Sequence, residues 1–65
     1  MNEDIVKGKW KELKGNVRQQ WGKLTNDDVD RLKGTQEELV GLLQQRYGYE
    51  QEQAKKEIND WANRY

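Results

Sequence analysis

Val6, Trp10, Leu13, Val17 and Trp21 are separated by steps of 4, 3, 4 and 4 residues. That spacing is one face of an α-helix. The chain contains no Pro, so nothing of that kind interrupts the helix. Asn2 is placed to cap it, and Glu3 and Asp4 fall in the first turn, where the positive end of the helix dipole favours acids. Gly22 follows Trp21 and suits the left-handed position that ends a helix. The spacing therefore predicts a first helix over about residues 3–21.

The same grammar continues downstream. Thr25 with Asp28 approximates a capping box, and Asn26 to Asp28 fill the first turn of a short second helix that Gly34 ends. Val29 and Leu32 point inward from it. Thr35 with Glu38 matches the capping box more closely and opens a third helix, about 36–47, with Leu39, Leu43 and Tyr47 as its stripe and Gly48 as its stop. Ala54, Ile58, Trp61 and Tyr65 step by 4, 3 and 4, which predicts a last helix from about Glu50 to Asn63. Short connections force consecutive helices to pack on one another. A shift of 26 residues superimposes Leu13, Gly15, Val17, Trp21 and Gly22 on Leu39, Gly41, Leu43, Tyr47 and Gly48, and Leu32 on Ile58. The expected fold is all-α, a small four-helix bundle of two packed helical hairpins with approximate internal duplication. Each hairpin alone leaves an apolar stripe uncovered, and pairing the two closes one core.

Composition limits the chemistry. At 65 residues, one small domain over 1–65 is expected, and only roughly 60% of the unfolded chain's surface is buried in a domain of that size. Its 32% apolar and 37% charged residues leave a thin core in which Trp and Tyr supply much of the buried area. There is no Cys and no His, which removes thiolate chemistry and the commonest general base and transition-metal ligand. No apolar run approaches the length of a membrane span, and the N-terminus has no apolar signal core; a cytoplasmic location is expected. Asp27, Asp28 and Asp30 form the most chemistry-like passage. Read as an EF-hand from Asn26 or Asp28, the Asp spacing holds for two or three positions, but the loop places Arg31 or Lys33 where Gly is needed; position 12 is Glu37 in the Asn26 frame and Leu39 in the Asp28 frame. Paired-carboxylate catalysis needs a pocket that a two-turn helix does not supply. Helix capping accounts for the aspartates, and neither a catalytic residue, a metal nor a cofactor is expected.

Lys7, Lys11, Lys14 and Arg18, spaced 4, 3 and 4, form a basic stripe beside the apolar one. Such a stripe suits phosphates or anionic headgroups, so nucleic acid or an anionic surface is the partner it would take. The plainer reading is a solvated face that also attracts the acidic remainder of the molecule, and a formal net charge of zero argues against a dedicated nucleic-acid domain. Gly8 and Gly15, one heptad apart in the first helix, lie nearly opposite Trp10 and each weakens the helix by about 1 kcal/mol relative to Ala. They read as surface glycines or as a smooth face for a second backbone.

Gly8, Trp10, Lys14, Gly15, Trp21, Gly22, Leu24 and Asp27–Asp28 in the first half, with Tyr47, Gly48, Tyr49, Ala54 and Trp61 in the second, give a pattern that resembles the CsbD-like family of small bacterial stress-response proteins. The resemblance covers nearly the whole chain. It implies a small helical bundle, synthesis raised in general stress and no catalytic residue. Family members are described as hydrophilin-like, and the mean hydropathy of −1.38 with six Gly fits that description. Two functions follow as expectations. The first is a non-enzymatic, monomeric protectant or helical interaction protein. The second is a small binding module that meets nucleic acid through the basic stripe or a protein through the Tyr47-Gly48-Tyr49 turn, because "RYGYEQEQAKKEI" is also similar to the loop and last helix of ubiquitin-associated domains. Core packing is the plainer role for both tyrosines.

Overall fold

The computed structural model describes the backbone from Asp4 to Tyr65 and side chains from Val6 onward. The expected cap at Asn2 and the acids of the first turn lie outside the described side chains. Among the described residues six helices follow in order: α1 (Asp4–Gly8), α2 (Trp10–Lys14), α3 (Val17–Gln20), α4 (Asn26–Asp30), α5 (Gln36–Tyr47) and α6 (Gln51–Ala62). The chain is all-helical over these elements.

The single first helix expected over 3–21 is three short ones. The breaks fall at the two glycines. After Gly8, the Lys9 amide donates to the Val6 carbonyl at 3.3 Å, and after Gly15 the Asn16 amide donates to Leu13 at 2.9 Å. Both are i to i−3 bonds that tighten the turn locally. Lys9 (φ −111°, ψ 12°) and Asn16 (φ −107°, ψ −4°) sit at the edge of helical geometry. Glycine, the poorest helix former after proline, weakens the helix at both sites, although α5 carries Gly41 without a break. The apolar periodicity survives the breaks: Val6, Leu13, Val17 and Trp21 are all buried.

Two helix ends also differ from expectation. Gly22 is not left-handed; among the described residues only Gly34 and Gly48 have positive φ. Instead Trp21 leaves helical geometry (φ −125°, ψ 88°), and Arg18 Nε donates to the Leu24 carbonyl at 3.2 Å, holding the chain that follows. The second helix stops at Asp30, so Gly34 does not end it directly. Gly34 serves a different purpose. Its φ is +104°, and a Cβ there would lie 2.7 Å from Trp10 Cγ. The glycine lets the turn into α5 pass beneath the Trp10 ring.

Both capping boxes form as their spacing predicts. Thr25 Oγ1 accepts from the Asp28 amide at 3.0 Å while Asp28 Oδ2 accepts from the Thr25 amide at 3.1 Å. Thr35 and Glu38 repeat the exchange, and Glu38 also takes the Lys33 amide at 2.9 Å. Gly48 ends α5 in the left-handed conformation, φ 71°, which permits a tight reversal into α6. There Leu39, Val40 and Leu43 of α5 meet Ala54, Ile58, Trp61 and Ala62 of α6, and these join the buried side chains of α1 to α4 in one continuous cluster. Trp21 and Trp61 meet edge to face at its centre, with ring centroids 4.8 Å apart and planes at 66°.

The glycines give a signed test. Gly34→Ala forces a side chain into the Trp10 ring at positive φ and should lower stability by about 1–3 kcal/mol. Gly41 lies inside α5 with nothing within 4 Å of a Cβ, so Gly41→Ala should raise stability by about 0.5–1 kcal/mol. Urea denaturation of the two variants decides: equal midpoints would contradict the packing described for Gly34.

Candidate functional site

The three aspartates of α4 do not converge. Asp27 pairs with Arg31, the residue that follows α4, at 3.2 Å. Asp28 turns inward, and Asp30 faces Lys14 at 3.7 Å. Each carboxylate is thus directed to a different cation: the expected capping is present at Asp28, Asp27 and Asp30 are exposed, and Asp28 departs from the expected solvated face because it is buried against Arg46. Among the described residues no group of three or more acids could hold a metal ion.

Asp28 is the most constrained of these groups. Its residue is 8% exposed, and Arg46 from α5 meets it with two bonds, Nη2 to Oδ1 at 2.8 Å and Nε to Oδ2 at 3.1 Å. A parallel two-bond contact of this kind is the strongest form of carboxylate–arginine pairing. The Arg46 hydrogen bonds, followed by the Thr25 amide, draw the Asp28 pKa down to about 2 from an ordinary 3.8, overcoming the opposing effect of burial. One side chain therefore caps α4 and ties it to α5. For Glu38, burial alone would raise the pKa, but the Lys33 amide and the Thr35 hydroxyl and amide outweigh it and bring the carboxyl below its usual range.

The basic stripe is divided by the breaks in the first helix. Lys11 and Lys14 of α2 and Arg18 of α3 line a hollow of about 480 Å³ together with Gly15, Gln19 and, from α4, Asn26, Val29 and Asp30. Lys7 does not reach it. Lys7 lines a separate hollow of about 410 Å³ with Lys9, Trp10 and Glu12, to which Lys11 also contributes. Three of the four stripe residues are brought together, and the fourth is displaced. Asn26 and Asp30 were not legible as companions of the stripe, because only the docking of α4 against α2 and α3 puts them there. Arg18 is oriented from two sides, by the Leu24 carbonyl and by Asn26 Oδ1, which accepts from Nη1 at 2.7 Å.

The Tyr47-Gly48-Tyr49 turn forms a second cluster. The two rings stack at 5.2 Å with planes 19° apart. The Lys23 ammonium sits 5.0 Å above the Tyr47 ring, and the Lys23 amide donates to the Tyr47 hydroxyl at 3.1 Å. Both tyrosines are partly buried and pack against the core. Burial, then the negative charge of Glu57, raises the Tyr49 pKa.

These features define a class first: a small all-helical domain with a charge-dense surface and an aromatic-centred core. The family model described as CsbD-like matches residues 4–56, and the chain belongs to that family. It is 52% identical to the UPF0337 protein YjbJ of Escherichia coli K12 over 64 residues, covering 98% of this chain and 93% of the relative. UPF0337 protein PA4738 of Pseudomonas aeruginosa is 48% identical over 64 residues, covering 98% of each chain. UPF0337 protein ECA0631 of Pectobacterium atrosepticum is 48% identical over 65 residues, covering all of this chain and 94% of the relative.

The Asp28–Arg46 pair sets a pH dependence. A carboxylate whose pKa is lower in the folded state stabilises the fold fully above its unfolded pKa and loses that contribution as pH falls through the folded value. The urea midpoint of the parent should therefore decline between pH 4 and pH 2. Asp28→Asn should lie below the parent at pH 6, and the gap should close across that acid window. A gap that stays constant from pH 6 to pH 2 would show that the Asp28 charge contributes nothing.

Proposed function

We propose that the protein is a non-enzymatic stress-response protein that protects other macromolecules through an abundant, hydrated, charge-dense surface. The observation that carries this reading is where the apolar side chains go. Val6, Leu13, Val17, Trp21, Leu24, Leu39, Leu43, Ile58 and Trp61 are all buried, and among the described residues the exposed large hydrophobic is Tyr65. The chain carries a balanced set of 12 basic and 12 acidic side chains, and of those described most face water while Asp28 is buried. Such a surface stays soluble and does not adhere to a partially unfolded neighbour through apolar contact. The membership in the CsbD-like family, whose members are associated with general stress, supports the same reading. No helix among the described residues is long and apolar enough to cross a membrane.

The same reading takes the chain as two imperfectly duplicated helical hairpins. The burial of Leu13 with Leu39 and of Val17 with Leu43, each pair 26 residues apart, supports it. Gly22 and Gly48, equivalent in the 26-residue shift, differ in conformation, since only Gly48 of the two has positive φ. A binding module is the second reading, favoured by the half-exposed Tyr47–Tyr49 stack with Lys23 above it.

A labile enzyme dried or heated with the protein separates the two. The parent should preserve more activity than an unrelated protein at equal mass concentration. A variant carrying Gln at Lys7, Lys11 and Lys14, with Arg18 left to hold the turn at Leu24, should protect almost as well, because protection by a hydrated surface does not depend on three cations. Loss of protection in that variant, or no advantage of the parent over the unrelated protein, would contradict the proposal.

A further inference from the structure

The hollow between α2, α3 and α4 has features that a solvated basic face does not require. We propose that it binds a compact oligophosphate, with Lys11, Lys14 and Arg18 as the cations that hold it. Arg18 is pre-oriented. Nε and Nη1 are committed to the Leu24 carbonyl and Asn26 Oδ1, and Nη2 has no acceptor among the described residues, so its two N–H groups are available. Lys11 makes no ion pair among the described residues. Lys14 is held loosely, 3.7 Å from Asp30 with both side chains largely exposed, and a surface pair of that kind contributes little. An incoming anion can take the ammonium from Asp30 at small cost.

Shape and charge select the ligand class. Gly15 forms part of the wall, and the nearest atom to a Cβ built there is the Glu12 carbonyl oxygen at 3.9 Å, so no side chain fills that side of the hollow. The volume of about 480 Å³ lies within the range of roughly 300–1,000 Å³ usual for small-molecule sites. Three cations against the single carboxylate of Asp30 favour a ligand of two or more negative charges with several acceptor oxygens. An extended duplex is disfavoured. Its phosphates would run on from the hollow over the acidic face of α4, where Asp27 and Asp30 are exposed, and the chain's net charge of zero gives no long-range attraction. A di- or triphosphate group meets the three cations and little else.

The test is a titration of the full chain with inorganic tripolyphosphate at low ionic strength, followed by amide chemical shifts, which also report that each variant is folded. The expected result is saturable shifts at Lys11, Lys14, Gly15, Arg18 and Asn26. Lys11→Gln and Lys14→Gln should each weaken binding by roughly three- to tenfold, the effect of one charge lost at about 4 Å in an open, water-filled hollow. Asp30→Asn should tighten it by a similar factor, and Lys7→Gln should leave it unchanged. A parallel titration with ATP separates the sources: equal affinity assigns a free oligophosphate, and tighter binding of ATP assigns a nucleotide. Shifts that do not saturate, a Lys7→Gln variant as impaired as Lys11→Gln, or weaker binding by Asp30→Asn would overturn the proposal. So would binding of duplex DNA under conditions where tripolyphosphate does not bind.

Discussion

The edge-to-face contact of Trp21 with Trp61, at 4.8 Å, is the constraint on which the rest of the fold depends. A chain with only 32% apolar residues must build its core from few side chains, and these two are the largest that are fully enclosed. One ends the broken N-terminal helical run, and the other lies in the last turn of α6, so their meeting joins the two ends of the fold. Neither indole N–H has an acceptor among the described residues. An unsatisfied buried donor costs about 1–3 kcal/mol. Burying about 150–250 Å² of aromatic surface at about 25 cal/mol/Å² contributes about 4–6 kcal/mol. Burial outweighs the unpaired donor, which explains why Trp is tolerated at both positions without a polar partner.

Around that centre, polar contacts settle how the short helices meet. The helices α1 to α4 are each five residues or fewer, too short to persist alone. They are held by what they touch. Asp28 caps α4 and binds Arg46 of α5; Arg18 of α3 holds the turn at Leu24 and the first residue of α4; Glu38 gathers the Lys33 and Thr35 amides ahead of α5. The same charged groups that keep the surface hydrated also fix the positions of helices that have little propensity of their own. In a small domain of this composition, solubility and fold specification draw on one set of side chains.

Much of this was legible from residue order. The 4-3-4-4 apolar stripe, the two Thr-led capping boxes and the glycine stop at Gly48 all depend on local chemistry, and local chemistry is what sequence spacing reports. The breaks at Gly8 and Gly15 were less so. The stripe's periodicity carries through them, so its spacing gives no sign of the interruption, and only the propensity cost of glycine hinted at it. Gly34 looked like a helix stop because its role depends on Trp10, 24 residues earlier, a pairing that no local pattern encodes. The hollow is of the same kind. The cations could be read from their spacing, whereas the exclusion of Lys7 depends on the break after Gly8 and the inclusion of Asn26 and Asp30 on how α4 docks.

A double-mutant cycle tests the central contact most directly. Trp21→Leu, Trp61→Leu and the double variant would be compared with the parent by urea denaturation, since Leu removes the aromatic contact and keeps an apolar side chain. Each single change removes an unpaired buried N–H as well as ring surface, so the single costs partly cancel and are less informative than their coupling. If the edge-to-face contact joins the two ends of the fold, the cycle should give a coupling energy of about 0.5–1.5 kcal/mol, the range found for aromatic pairs of this geometry. Strictly additive effects of the two substitutions would contradict the account.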